Sequence, residues 1–550
     1  MYFVALGNVA IWDANEAYYV ETPREMLEAH DLVNPTFNYE PRFNKPVLSY
    51  WIVAALYKVF GISVGVQRFG IAVGAMLIVW AAFILGRLGG RLGTTRDPGP
   101  ETTRDLGPET TRDPGPGTTR DPGLWAAAGL LAAPRLMMFA RRIFIDIWLT
   151  AFTALTLTFF ALSEAYPERR RRYLLLMYVS VGLGVLTKGP IAIALPGMAF
   201  ALYLIVRREL GRVREMMLPA GALIVAAIVV PWYAALYHQH GWTHIRAFLL
   251  TENVERFTEG VGVQMSRPWW FYVPVVFSDS FPWSLLLPLA AVLAWRSRSR
   301  LEVLLWCWIA TIVAFHSYGV GKQDLYIFPI VPAVAALGGM AIARGLAGER
   351  PTLLSVTLAV GGGLLAVAGG GVLYLFQAAG RIYALESALL VGLIAAAGGT
   401  ATLLLGALRR PAAAALTLVA AMVALNWAFV LRVLPEFERY KPVPGFSQTL
   451  AARLQPGDAI VHYQASLPSM TYYLRRHVKT TFDPESFVQA MLVPTRVYGI
   501  LSDDDYAALA PQLAGRTCVV ERRPTFDVKL SAVLARQPLP ELLLITNQCQ

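Results

Sequence analysis

Apolar runs close to the length of a bilayer recur along this chain, with short charged stretches between them. A spanning helix needs about 20 apolar residues. Runs approaching that length lie near 1–11 (partial), 68–90, 124–140, 147–166, 173–187, 190–206, 217–237, 269–295, 303–318, 325–343, 352–376, 387–408 and 412–433. The pattern predicts thirteen spanning segments, the first truncated here or completed by a start upstream. An apolar helix over 47–60 is too short to cross; Tyr50, Trp51 and Tyr57 suit the interface plane. From Leu434 onward, strand-like runs at 458–463, 496–501, 517–521 and 542–545 alternate with helical ones at 445–454 and 503–513. That alternation predicts a small α/β domain. The expected fold is an all-α polytopic membrane domain over 1–433 followed by a C-terminal α/β domain over 434–550.

Charge placement orients these segments. If the first runs outward, the loops at 168–172, 207–214, 296–300, 344–350 and 409–410 face the cytoplasm; together they hold fifteen Arg and three Glu. Short Arg-rich loops stay inside, so an odd number of spans puts the C-terminal domain outside. Between the second and third segments, 94–123 repeats an eight-residue unit beginning Thr-Thr-Arg-Asp at Thr94, Thr102, Thr110 and Thr118. Its regular Pro and Gly and balanced charge preclude a packed core, so a disordered cytoplasmic insert is expected.

Composition agrees with a membrane protein: 56% of residues are hydrophobic and 15% charged, against about 25% charged in soluble domains. The net charge of +11 resides largely in the Arg-rich loops, which explains it without a nucleic-acid partner. Cys307, Cys518 and Cys549 are far apart, which excludes a Cys-rich zinc site and argues against a disulfide framework.

The chemistry gathers on the predicted outer face. Trp12-Asp13-Ala14-Asn15-Glu16-Ala17-Tyr18-Tyr19, Asn44-Lys45-Pro46, Arg141 to Asp146, Thr187-Lys188-Gly189-Pro190, the loop 238–268 with Glu252, Glu255 and Arg256, and the turn from Gly321 to Tyr326 all fall there. Ionisable residues beside spanning segments are costly and mark function by default. Cations and carboxylates converging on one side fit an anionic ligand, such as a lipid-linked sugar phosphate. Lys and Arg would stabilise the leaving phosphate, and a carboxylate would take the acceptor's proton. A single in-line displacement would invert the anomeric centre. The candidate catalytic carboxylates are Glu16, Asp146 and Asp13. The candidate donor-binding residues are Lys45, Lys188, Arg256, Lys322, Tyr326 and Tyr19. Asp13 also suits a helix N-cap, and Lys188 a helix C-terminus. His238, His240 and His244 suit a wet aromatic loop better than a metal site. A transporter or flippase of a lipid-linked glycan is the rival class, but it would be expected to show internal repeats.

The stretches Asn15-Glu16-Ala17-Tyr18-Tyr19 and Pro23-Arg24-Glu25-Met26-Leu27 resemble the first outer loop of polyprenyl-phosphate-sugar-dependent GT-C glycosyltransferases. Bacterial 4-amino-4-deoxy-L-arabinose (lipid A) transferases are the nearer likeness and protein O-mannosyltransferases the more distant. Asn44-Lys45-Pro46 resembles the family's Glu-Lys-Pro motif, Ile145-Asp146 its second carboxylate, and Thr187-Lys188-Gly189 its Thr-Lys-Gly turn. Glu252 to Phe257, Pro268 to Pro274, and Lys322 with Tyr326-Ile327-Phe328-Pro329 resemble later elements. The resemblance covers about 10–340 and implies a polyprenyl-phosphate sugar donor, with Lys45 on its phosphate. It also implies a multi-pass protein of the cytoplasmic (inner) membrane, with active site and C-terminal domain extracytoplasmic. The acceptor stays open among lipid A, another glycolipid, a polysaccharide and a protein.

Three positions depart from the family. Asn15 stands where an Asp is expected, which passes base catalysis to Glu16 or Asp13 and keeps a catalytically silent relative in play. Asn44 replaces the Glu before Lys45 and speaks against a metal held there. Met265 stands near a family His. No cofactor is expected; a divalent metal is left open.

Overall fold

The computed structural model describes residues 1–92, 120–260, 267–297, 299–378, 385–513, 515–526 and 537–549. Repeat residues 94–119 and Met265 lie outside this set. The chain is an all-α bundle with a small C-terminal sheet domain, the fold class its hydropathy pattern predicts. Among the described residues, eight helices are long and apolar enough to cross a membrane, and nine if the pair Trp269–Asp279 and Trp283–Ser297, bent by 108°, counts as one span.

Several of the thirteen apolar runs take other forms than one long helix. Residues 1–11 form turns rather than a partial helix. The run at 124–140 divides into Pro122–Ala132 and Pro134–Phe139, because Ala133 is extended before a proline that offers no N–H. Ile191–Arg207 has 17 residues, at the short limit for a crossing. The helix predicted at 47–60 is present as Leu48–Phe60. Asp121, assigned to the insert, instead accepts a hydrogen bond from the Gly123 N–H at 2.8 Å and caps Pro122–Ala132.

Small residues set the closest packing. A Cβ on Gly399 would lie 2.3 Å from the Ala366 backbone nitrogen, and one on Gly369 would lie 2.4 Å from that of Ala396. The helices Pro351–Leu373 and Ser387–Ala407 therefore touch backbone to backbone. Lipid tails are as apolar as side chains, so such close van der Waals contact is what holds helices together.

The bundle has two chemically distinct ends. At one, Glu164 accepts hydrogen bonds from Arg170 at 3.0 Å and Arg212 at 2.5 Å. Arg300 reaches Glu209 at 2.7 Å, and Arg344 joins Glu302 and Glu349 at 2.8 and 2.6 Å. These residues come from four of the five Arg-rich loops or from beside them. At the other end of the helices Phe144–Ala165 and Arg170–Lys188 lie Asp146 and Lys188.

The sheet domain lies at this second end. A hairpin of β1 (Thr36–Phe37) and β2 (Glu40–Pro41) precedes it in the chain. Its own strands are β3 (Ala459–Tyr463), β4 (Lys479–Thr481), β5 (Val497–Ser502), β6 (Cys518–Pro524) and β7 (Glu541–Thr546), in spatial order β4-β3-β5-β7-β6. β3 runs parallel to β4 and β5, while β7 is antiparallel to β5 and β6. Strand alternation sends Leu543 and Ile545 against Phe487 and Met491, and Leu542 and Leu544 against Phe446 and Met470. Helices thus cover both faces. Cys518 and Cys549 form a disulfide, contrary to the reading of cysteine spacing. The β6–β7 pairing aligns Cys518 with Thr546, which brings two cysteines 31 residues apart to a Cα separation of 5.6 Å.

The N-terminal turns are fastened by one buried ion pair. The Arg68 guanidinium donates to Glu16 at 2.6 and 3.0 Å and to the carbonyls of Leu6, Val9 and Ala10 at 2.8, 2.7 and 3.0 Å. Both side chains are at most 2% exposed. Removing one partner of a buried pair strands the other charge, at a cost of roughly 3–5 kcal/mol. Arg68→Ala should therefore lower the thermal unfolding midpoint of the purified protein markedly; a midpoint within error of the native value would contradict this role.

Candidate active site

The start of the helix Asn15–Glu28, the loop carrying Arg42 to Lys45, the segment around Glu252 and the bundle end enclose a cavity of about 580 Å³. Arg42, Lys45, Asp146, Lys188, Glu252 and Arg256 supply its charged lining. Leu149, Ile191, Ala194, Leu195, Phe257 and Phe315 supply an apolar wall. Four cations against two carboxylates leave positive charge in excess, in a chamber continuous with apolar surface.

Local structure positions each charged group. Asp146 is in the first turn of Phe144–Ala165, where a carboxylate meets the positive helix end. Lys188 closes Arg170–Lys188 at the negative end of that helix, just before Gly189. Gly189 has φ +91°, and a Cβ there would lie 2.6 Å from the Phe248 ring, so the turn demands glycine. Lys188 and Asp146 form an ion pair, and the Lys188 ammonium also lies 5.3 Å from the centre of the Tyr326 ring. Lys45, fixed beside Pro46, donates to Glu252 at 2.6 Å. Burial lowers the Lys45 pKa from its ordinary value while the Glu252 charge opposes that shift. Arg256 donates to the same Glu252 oxygen at 3.0 Å. Arg42 lies 3.7 Å from the centre of the Tyr18 ring. Tyr19 stacks between Tyr50 and Phe144 at 5.6 and 5.7 Å and faces the cavity.

Of the residues expected to form the site, Asp146, Lys45, Lys188, Arg256, Tyr326 and Tyr19 line this cavity. Three do not. Glu16 points away from it into the Arg68 pair and also accepts from the Trp12 N–H at 2.8 Å. On the helix Asn15–Glu28, successive side chains diverge, and it is the amide of Asn15 that lines the cavity. Asp13 accepts from the Ser469 N–H and hydroxyl at 2.7 and 2.8 Å and tethers the sheet domain. Burial pushes its pKa up to about 6, against the lowering effect of those hydrogen bonds. The Lys322 ammonium turns onto the Gly319 carbonyl at 2.7 Å, past the end of the helix Arg300–Tyr318, where a cation meets the negative helix end.

Arg42, Glu252 and His316 were not among the candidates chosen from sequence, though all three line the cavity. His316 carried a usable signal, a lone imidazole within an apolar run. Arg42 and Glu252 belonged to polar loops already suspected, but only the fold distinguishes them from their charged neighbours. Among the described residues no group of three or more His, Cys, Asp or Glu is arranged to hold a metal. His240 approaches the Asn34 side-chain oxygen at 2.8 Å, and His244 stacks on Phe43 at 4.0 Å, as a wet aromatic loop would.

Residues 117–234 match the family model of dolichyl-phosphate-mannose-protein mannosyltransferases. An undecaprenyl phosphate-alpha-4-amino-4-deoxy-L-arabinose arabinosyl transferase of Pseudomonas fluorescens (strain Pf0-1) is 28% identical over 393 residues, covering 70% of this chain and 62% of that protein. The corresponding transferase of Pseudomonas aeruginosa (strain LESB58) is 33% identical over 352 residues, 63% of this chain and 58% of that one. The matched regions thus span about three fifths of these relatives. The crystal structures of ArnT from Cupriavidus metallidurans, in the apo state and bound to undecaprenyl phosphate, each share the fold, with a TM-score of 0.76 and 21% identity. Each match covers 100% of this chain and 96% of the other. The resemblance carried by the sequence motifs is thus borne out: the chain is similar to the polyprenyl-phosphate-sugar-dependent GT-C glycosyltransferases, with bacterial 4-amino-4-deoxy-L-arabinose transferases among its relatives.

Proposed function

We propose that this multi-pass membrane protein is a glycosyltransferase that moves a sugar from a polyprenyl phosphate to an acceptor on the extracytoplasmic face of the cytoplasmic membrane. The observation that carries this reading is the cation-rich cavity with an apolar wall. A phosphate suits Lys45, Arg256 and Arg42, and a prenyl tail suits the apolar side chains of the neighbouring helices. The relatives named for undecaprenyl-phosphate aminoarabinose transfer support the same donor class.

Glu16 and Asp13 are engaged outside the cavity, so Asp146 becomes the proposed base. It lines the cavity and forms an ion pair with Lys188, which holds the carboxylate in place beside the donor-binding cations. The acceptor hydroxyl attacks the anomeric carbon as its proton passes to Asp146. The sugar–phosphate C–O bond breaks, and its electron pair stays on the phosphate oxygen beside the cations. One displacement inverts the centre. The acceptor's identity is open. The Asn15 amide on the cavity wall favours a second reading, a silent relative that binds the lipid phosphate without transfer.

The disulfide supports an outer position for the sheet domain, because such bonds persist in oxidising compartments. The Arg-rich opposite end supports a cytoplasmic position for the loops there.

Incubating the purified protein with a panel of radiolabelled polyprenyl-phosphate sugars and candidate acceptors should release free polyprenyl phosphate. Intact donor throughout would favour a flippase or the silent relative. Asp146→Asn should cut transfer about 10²-fold or more while donor affinity stays near native. Lys45→Ala should weaken donor binding about tenfold or more; unchanged affinity would remove Lys45 from the phosphate site. In spheroplasts, a membrane-impermeant thiol reagent should label Glu485→Cys but not Arg171→Cys, and the reverse pattern would invert the proposed orientation.

A further inference from the structure

The Glu252 carboxylate sits on the very cations that the donor reading gives to phosphate. One oxygen lies 2.6 Å from the Lys45 ammonium and 3.0 Å from the Arg256 guanidinium, and the other lies 3.5 Å from the Asn44 amide. All four side chains line the same cavity. Glu252 lies on a π-helical turn, Leu250–Glu255, a wide-wound geometry frequent at functional sites. Four residues on, Arg256 shares its face. Its side chain is 23% exposed, so it can swing away without opening a sealed core. A phosphate oxygen and this carboxylate would use the same N–H donors, and each would displace the other.

The charge balance of the proposed reaction gives this competition a purpose. The donor is a phosphodiester with one negative charge. Transfer breaks the sugar C–O bond and leaves the electron pair on phosphate, while the acceptor's proton goes to Asp146. The product is a phosphomonoester with a charge of about −1.5 to −2 at neutral pH. Cations suited to the donor therefore hold the product more tightly, and slow product release limits many enzymes.

We infer that Glu252 is a positioning residue for phosphate exchange, competing for Lys45 and Arg256 so that the more highly charged product leaves. This rests on the donor reading of the preceding subsection. Glu252 acts through the two cations. The donor's single charge and the product's near-double charge both displace it, but its return favours expulsion of the lipid phosphate once transfer is complete.

The test compares binding of undecaprenyl phosphate, a monoester, with that of its methyl diester to the full-length purified protein in nanodiscs. Glu252→Gln, with Glu252→Ser as a second uncharged variant, should bind the monoester about tenfold tighter. The diester should gain distinctly less, so that the monoester-to-diester affinity ratio rises. Glu252→Asp should keep that ratio within about threefold of native, because the charge remains. In turnover assays the uncharged variants should show stronger inhibition by added undecaprenyl phosphate and a lower kcat at unchanged or lower donor KM. Monoester affinity that is unchanged or weaker in both uncharged variants, with native unfolding midpoints, would overturn the role of Glu252. So would equal tightening of monoester and diester. Failure of the native chain to bind either lipid would instead overturn the donor reading, and this inference with it.

Discussion

Charge beside a low-dielectric medium must find a partner, and the charges around the N-terminal turns and the cavity are arranged by how they find one. Two kinds of pairing result. Glu16 and Arg68 form a closed pair, buried and saturated with further bonds to backbone carbonyls. Such a pair fastens the N-terminal turns onto the helix that carries Asn15. The pairs in the cavity are different. Asp146 with Lys188, and Glu252 with Lys45 and Arg256, line a cavity instead of being sealed in a core. Their geometry is that of groups held in position but not locked away.

The sheet domain contributes to the site by attachment. Ser469 binds Asp13, the Ala10 N–H donates to Glu438 at 2.8 Å, and the Ile11 N–H donates to the Tyr473 hydroxyl at 3.1 Å. These contacts press the N-terminal turns between domain and bundle, which sets where Asn15, Tyr18 and Tyr19 face the cavity. Carboxylates in that island that resemble catalytic groups in sequence therefore serve as anchors in space. The disulfide between Cys518 and Cys549 ties the last strand pair of the same domain to the chain's end.

At the opposite end, four of the five Arg-rich loops carry Arg residues paired with Glu164, Glu209, Glu302 or Glu349. This positive, carboxylate-bridged rim thus lies at the opposite end of the bundle from the cation-rich cavity. Backbone contacts at Gly369 and Gly399 hold Pro351–Leu373 against Ser387–Ala407 by close packing.

The amino-acid sequence alone determined the class of molecule, because hydropathy and Arg placement are local properties that need no tertiary contact to read. It marked the loops that meet at the cavity, since ionisable residues among apolar runs are conspicuous, and the motif order carried the likeness to lipid-phosphate glycosyltransferases. It did not show which apolar runs form one unbroken helix: a proline breaks a run in a way that average hydropathy conceals, as at Ala133–Pro134. Nor did it separate neighbours. Asn15 and Glu16 differ by one position, yet a helical turn of about 100° sends one to the cavity and the other to Arg68, a partner 52 residues away. Arg42 and Glu252 became legible as site residues, and Asp13 and Lys322 as anchors, only in the tertiary structure. Which way a charge points depends on partners distant in the chain.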